Sequence, residues 1–309
     1  MAERSGALTE AQVIARLREI FASSDPRIEV GIGDDAAVVV GAKRQVMTTD
    51  MAVEGVHFRT DWSTGFEIGR KVTAANAADI LAMGGVPDYL LVAVSLTGSE
   101  TMEWVSDLAH GIKFEADLAG AHVIGGDISR ADQVVISIAA IGTAEKPILR
   151  SGAKPGDGIY LSSLTGWSAA GLALLKSDSQ STGGLVEKAL KEFKSPTIDY
   201  GFDATLASSL CDVSDALVIQ AAQMADSAEG AFKFDLSKIE KTPEFAELET
   251  LANELGADIW QWIFAGGEDH VLLATGLDLS GILVGEVIAG SGIQNLPVGV
   301  ETSAWRHFN

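Results

Sequence analysis

The chain has a single cysteine, Cys211, in 309 residues. No disulfide can form within it, so a fold stapled by such bridges is excluded. No apolar run approaches the roughly 18 residues that a membrane span requires. The opening Met1-Ala-Glu-Arg-Ser-Gly lacks a basic stretch followed by an apolar one, so no secretory leader is read there. Basic residues are scarce: 22 Lys and Arg stand against 43 Asp and Glu, a formal charge of −21. That charge repels phosphate backbones and anionic lipid, which argues against nucleic-acid and membrane-surface binding. The P-loop pattern G-x-x-x-x-G-K-[ST] is missing, and no fixed-period repeat is found. What is present is an ordinary globular balance, 47% hydrophobic and 21% charged, with 33 glycines. The expectation is a soluble, cytoplasmic protein long enough for two domains.

Local patterning predicts an α+β fold. Thr9-Glu-Ala-Gln12 has the form of a capping box, followed by Val13, Leu17, Ile20 and Phe21 at helical spacing. Short β-branched runs at Ala36–Val40 and Gln45–Thr49 suggest hairpins. A helix is expected from Phe66 to Met83, stopped by Gly84-Gly85, and another from Met102 to Leu118. Tyr89–Leu96 and Gln133–Ile141 read as buried strands. Proline, glycine and charge cluster near residues 142–157, placing a domain boundary there, with domains at 1–145 and 146–309. Beyond it, strands are expected at Gly158–Ser162 and near Ile282–Val287. Helices are expected at Ser168–Lys176, Leu185–Phe193 and Asp215–Ala228. Ser177–Gly184, small and polar, reads as a mobile loop, and Phe264–Thr275 as a glycine-rich stretch.

The acidic residues carry the chemical signal. Several stand beside glycine or at the ends of apolar runs: Gly31-Ile-Gly-Asp34-Asp35, Thr48-Thr49-Asp50, Asn76-Ala-Ala-Asp79, Gly125-Gly126-Asp127 and Asp212-Val-Ser214-Asp215. Any one such aspartate is by default a cap or turn residue. Five groups of them gathered in one cleft would repel one another and call for divalent cations, of which Mg²⁺ suits an all-oxygen donor set. Zinc does not suit a site so poor in cysteine. A polyanionic substrate such as ATP gives several metals a purpose, because its phosphates must be neutralised before attack. Arg150 and Lys154, in Arg150-Ser-Gly-Ala-Lys-Pro-Gly-Asp157, are the main cations in a promising loop; alone, that loop reads as a solvated linker.

Together these blocks resemble the thiamine-monophosphate kinases, of the aminoimidazole ribonucleotide synthetase superfamily. So do Val53-Glu-Gly-Val-His57-Phe, Gly266-Gly-Glu268-Asp and the C-terminal Trp305-Arg-His-Phe308. The resemblance implies a two-domain PurM-like architecture that forms a homodimer through the N-terminal sheet. It implies direct transfer of the γ-phosphoryl of ATP to thiamine monophosphate, giving thiamine diphosphate and ADP, with no phosphoenzyme. By motif, Asp35, Thr48, Thr49, Asp50, Asp79, Asp127, Asp212 and Asp215 would hold several Mg²⁺, with Asp34 a neighbouring candidate. Asp35, Asp50, Asp127 and Asp215 would be the catalytic carboxylates. Gly126, Asp127, Arg150 and Ser214 would contact ATP, and His57, Glu268 and Trp305 the thiamine phosphate. An aromatic face beside a thiazolium cation and a glutamate accepting from an aminopyrimidine agree with those roles.

Plainer readings stand beside these. His57 could be a satisfied, partly buried residue, Trp305 a packing anchor, and Glu268 and Asp269 caps. His110, His122, His270 and His307 read as structural, Cys211 as a small core residue, and Met83 and Met102 as core. Ala216, Trp167, His270-Val271 and Ala77-Ala78 depart from the family pattern, where glycine, aspartate, Tyr-Glu and Leu-Ser are usual. Two other functions are kept open: another ATP-dependent enzyme of the superfamily, and a non-catalytic divalent-cation-binding protein.

Overall fold

The computed structural model describes residues 10–30, 38–41, 44–177, 182–228 and 230–300. The chain divides into two compact units, Met1–Ile80 with Gly85–Glu145, and Leu81–Gly84 with Lys146–Asn309. Both mix sheet and helix, as an α+β chain should.

In the first unit the order is α1 (Glu10–Ile20), β1 (Ile28–Val30), β2 (Val38–Val39), β3 (Gln45–Val53), α2 (Gly65–Ala82), β4 (Val86–Leu96), α3 (Met102–Ala119), β5 (His122–Arg130) and β6 (Val135–Thr143). Thr64 and Glu67 cap α2 reciprocally, each side chain accepting the other's backbone N–H. Thr101 caps α3 by accepting from the Trp104 N–H, and Gly120, at φ 76°, ends it. The two helices meet backbone to backbone: a Cβ on Gly69 would lie 2.2 Å from the Leu108 carbonyl oxygen, and one on Gly111 2.0 Å from that of Phe66.

Four strands form a sheet in the order β3-β6-β4-β5. Its two faces differ sharply. Ile136, Ile138 and Ala140 of β6 point to a buried face, where Ile80 of α2 closes on Gly142. On the other face Met47, Thr49 and Met51 stand in register with Ile141, Ala139 and Ser137, which pair in turn with Tyr89, Leu91 and Ala93. Met47 and Met51 are 64% and 60% exposed there, and Leu91 is exposed as well.

The second unit runs β7 (Gly158–Leu161), α4 (Trp167–Lys176), α5 (Gly184–Lys194), β8 (Ala207–Asp212), α6 (Leu217–Ser227), β9 (Ala231–Phe234), α7 (Leu236–Ile239), α8 (Pro243–Leu255), α9 (Ile259–Ala265), β10 (Leu272–Gly276), β11 (Ile282–Ile288) and β12 (Ile293–Gln294). The sheet order is β12-β9-β11-β7-β10-β8, antiparallel except for the β12–β9 pair. Ile159, Leu161, Phe232 and Phe234 of the strands and Ile263 and Phe264 of α9 are fully buried.

Most expected elements are present within a few residues. Several were not expected at all. β5 carries Gly125-Gly126-Asp127, which breaks any apolar alternation, and β8 opens on small residues. The run expected as glycine-rich, Phe264–Thr275, begins at the end of α9 and ends inside β10, a wholly buried strand. Residues 178–181 of the segment read as a mobile loop lie outside the described residues, as do Asp34, Asp35 and Trp305.

Candidate active site

In the first unit, β3 and α2 bring expected ligands together. Thr48 donates its hydroxyl to the Asp79 carboxylate at 2.6 Å. Two residues on, the Asp50 backbone N–H donates to the side-chain oxygen of Asn76, which itself donates to the Val72 carbonyl. Asn76 is 1% exposed, so a buried amide fixes the strand on which Asp50 sits. Thr49 points elsewhere, donating to the Ile138 carbonyl of β6.

Asp127 is remote from this group. β3 and β5 are the opposite edges of the sheet, with β6 and β4 between them. Three strand spacings amount to about 14 Å. The ladder also aligns Asp50 with Ile138 and Val92, and Asp127 with Ala93, so the two aspartates belong to opposite faces. Beside Asp127, Gly126 has no room for a side chain: a Cβ there would lie 1.8 Å from the Val92 carbonyl oxygen.

His57 closes the turn after β3. Its Nδ1 accepts from the Val53 N–H at 3.1 Å, which leaves the proton of the neutral ring on Nε2. Gly55, at φ 80°, makes that turn possible.

In the second unit two loops are stitched together. The Glu268 N–H donates to the Ser214 carbonyl at 2.7 Å and the His270 N–H to that of Val213 at 2.9 Å. Gly267 lets the chains touch, since a Cβ there would be 2.4 Å from the Asp215 carbonyl oxygen. Glu268 and His270 both hold left-handed backbone, at φ 63° and 52°, which costs a non-glycine residue about 1 kcal/mol or more. His270 Nδ1 lies 3.1 Å from Asp212 Oδ2 in a buried pair. Gln220, also buried, accepts from the Ala216 N–H and reaches the Ser214 hydroxyl. Arg150 pairs with the side-chain oxygen of Gln223 in α6.

Asp269 is the least expected member. Its carboxylate accepts from the Gly166 and Ser168 N–H groups at 2.8 and 2.9 Å, at the start of α4. Burial pushes this carboxyl up to about 6, against the pull of those two donors. The plain reading of it as a cap therefore describes its contacts; the helix it caps is remote in sequence, which no local pattern reveals. Asn76 was missed for the same reason, since the Asp50 N–H it accepts lies 26 positions away; Gln220 was missed although its partners, Ala216 and Ser214, are only four and six positions away. Cys211 is buried against Met224, and burial, with Asp212 adjoining, pushes its thiol far above the ordinary range. It is a core residue and no nucleophile.

Among the described residues, no three His, Cys, Asp or Glu side chains lie close enough to hold a metal by themselves. No described helix is long and apolar enough to cross a membrane.

Residues 33–144 match the family of AIR synthase related proteins, N-terminal domain. A thiamine-monophosphate kinase of Mycobacterium tuberculosis is 38% identical over 252 residues, covering 79% of this chain and 74% of that protein. One of Aquifex aeolicus is 31% identical over 289 residues, covering 90% and 92%. The solved structure of AaThiL complexed with AMPPCP and TMP superposes with a TM-score of 0.77, at 26% identity and full coverage of both chains.

Proposed function

The chain belongs to the thiamine-monophosphate kinase family, and from that premise we propose that it transfers the γ-phosphoryl group of ATP to the phosphate of thiamine monophosphate, yielding thiamine diphosphate and ADP. The observation that carries this reading is similarity to such kinases across both units of the chain. The product places the reaction at the end of thiamine diphosphate synthesis.

The donor chemistry fits Mg²⁺. Thr48, Asp50 and Asp79 offer only hard oxygens, and the one thiol is buried in the core. Mg²⁺ seldom sits in an all-protein cage; one or two carboxylates, water and substrate phosphates complete its shell. Among the described residues no three His, Cys, Asp or Glu side chains converge, and such a shell does not require them to. Asp50, Asp79, Thr48 and Thr49 in the first unit, with Asp212 and Asp215 in the second, would hold such ions, and Asp34 and Asp35 join them by motif. Bound Mg²⁺ neutralises phosphate charge and so lowers the barrier to attack.

The chain's own residues position the reactants. Arg150, braced by Gln223, and Ser214, braced by Gln220, contact ATP, with Gly126 giving backbone access beside Asp127. His57, Glu268 and Trp305 orient the thiamine phosphate. A phosphate acceptor needs no general base, and the group passes from ATP to it directly, in line.

The reading includes a homodimer. The exposed Met47, Met51 and Leu91 face of the first unit's sheet is an apolar surface suited to a second copy. The opposite-edge placement of Asp50 and Asp127 favours a site shared between copies, Asp127 of one subunit serving the Asp50 group of the other. A cytoplasmic location accords with a biosynthetic role. The deciding experiment follows ADP and thiamine diphosphate together by chromatography after mixing protein, ATP, Mg²⁺ and thiamine monophosphate. Equal, Mg²⁺-dependent yields are expected. ADP without thiamine diphosphate would point to another acceptor, and no ADP from folded protein to a non-catalytic cation binder.

A further inference from the structure

We infer that Asp269 is a positioning residue for Glu268, holding the loop 266–270 in the one backbone conformation that presents the Glu268 carboxylate to the aminopyrimidine end of the substrate. This deepens the function proposed above and rests on the reading of Glu268 as a substrate contact.

The loop is costly to hold. A carboxylate is an expensive group to bury, and Asp269 is 6% exposed. Glu268 and His270, on either side of it, both hold left-handed backbone that L-residues avoid. Such a conformation persists only where surrounding contacts over-determine it. Those contacts come from two sides. Backbone hydrogen bonds from Glu268 and His270 tie the loop to Ser214 and Val213. The opposite attachment is the Asp269 carboxylate, which takes one N–H from Gly166 and one from Ser168.

Gly166 is the N-cap of α4, a ten-residue helix, and Ser168 lies in its first turn. The positive end of that helix favours the ionised carboxylate. The Gly166 turn is itself fixed, because Thr165 donates its hydroxyl to the Ile263 carbonyl within the core. Asp269 thus anchors a strained loop to a rigid helix, and the residue immediately before it is the one whose side chain is needed outside. A loop serving stability alone would relax at little cost by placing glycine at 268 or 270. This chain keeps side chains at both.

A double-mutant cycle tests the inference. Glu268→Gln, Asp269→Asn and the double variant are compared for KM and kcat toward thiamine monophosphate and toward ATP, each with its thermal midpoint. Asp269→Asn is expected to raise KM for thiamine monophosphate about tenfold or more, with KM for ATP within about twofold of wild type. In the Glu268→Gln background the same change is expected to cost little further, because the group it positions is already gone. A general weakening of the fold would instead act equally in both backgrounds and on both substrates, and that result overturns the inference. If Glu268→Gln leaves KM for thiamine monophosphate unchanged, the assignment of Glu268 falls first and this inference with it. Should Asp269→Asn not fold, Asp269→Ser, which keeps one acceptor, replaces it. Failure of both to fold marks Asp269 as a residue of the fold alone and overturns the inference.

Discussion

His270 and Asp212 form a buried pair, ring nitrogen to carboxylate oxygen at 3.1 Å, between the loop before β10 and the end of β8. The ring fixes the rotamer of Asp212, one of the proposed metal ligands. Groups that orient a ligand from behind are worth about 10- to 100-fold in metal affinity when removed. His270→Phe is therefore expected to raise the Mg²⁺ concentration for half-maximal rate by that factor. Direct titration with Mn²⁺, read by electron paramagnetic resonance, should move in parallel. An unchanged Mn²⁺ affinity would remove Asp212 from the metal set.

Asp50 and Asp127, on opposite edges and faces of one sheet, give a sharper test. Asp50→Asn and Asp127→Asn are each expected to abolish turnover while leaving the fold intact. If two copies share each site, mixing the two inactive proteins under exchange conditions restores activity. A heterodimer then holds one site with both defects and one with neither, so an equal mixture approaches about a quarter of the wild-type rate. No recovery, with exchange confirmed by mass, would place all the ligands of a site in one chain.

Gly126 allows the close approach of β5 to β4. A Cβ would lie 1.8 Å from the Val92 carbonyl oxygen, which is backbone and cannot swing away. Gly126→Ala must spread the two strands and displace Asp127. The expected result is a loss of about 1–3 kcal/mol in chemical denaturation, with a fall in kcat larger than the fraction unfolded explains. An alanine variant of wild-type stability and rate would show that the strand edge is not held so tightly.

These residues also show what sequence patterning reveals and what it hides. α2 was legible from its alanine content and the Gly84-Gly85 stop, and α3 from Trp104, Leu108 and Ile112 on one helical face, signals that all lie within a few residues of one another. β5 was hidden, since Gly125-Gly126-Asp127 violates the alternation that marks a strand, and it is the parallel pairing with β4 that holds it extended. The acidic blocks were visible as a set. That Asp50 and Asp127 fall on different faces was not, because face depends on register, and register depends on partners remote in sequence. Asn76 sat inside a block already singled out for Asp79, yet the hydrogen bond it accepts from the Asp50 backbone spans 26 positions. Asp269 was visible as an acid after two glycines, but its helix begins about a hundred residues earlier.

Asp269 also sets a pH dependence whose sign is opposite to that of most carboxylates. Ordinary paired acids titrate lower when folded, and they stabilise a protein as pH rises. Burial raises Asp269 from 3.8 to about 6, so the folded state binds this proton more tightly than the unfolded one. Its stabilising contribution is complete below the unfolded value and is lost as pH rises through about 6. Above that, the ionised group costs the fold a constant amount, on the order of 2–3 kcal/mol for a shift of this size. Urea unfolding of wild type and Asp269→Asn at a series of pH values isolates the effect, since the other acids are common to both. The wild type should lose stability relative to the variant by about 2 kcal/mol between pH 4 and pH 7. A difference independent of pH would mean that Asp269 stays ionised, its two N–H donors and the helix terminus outweighing burial.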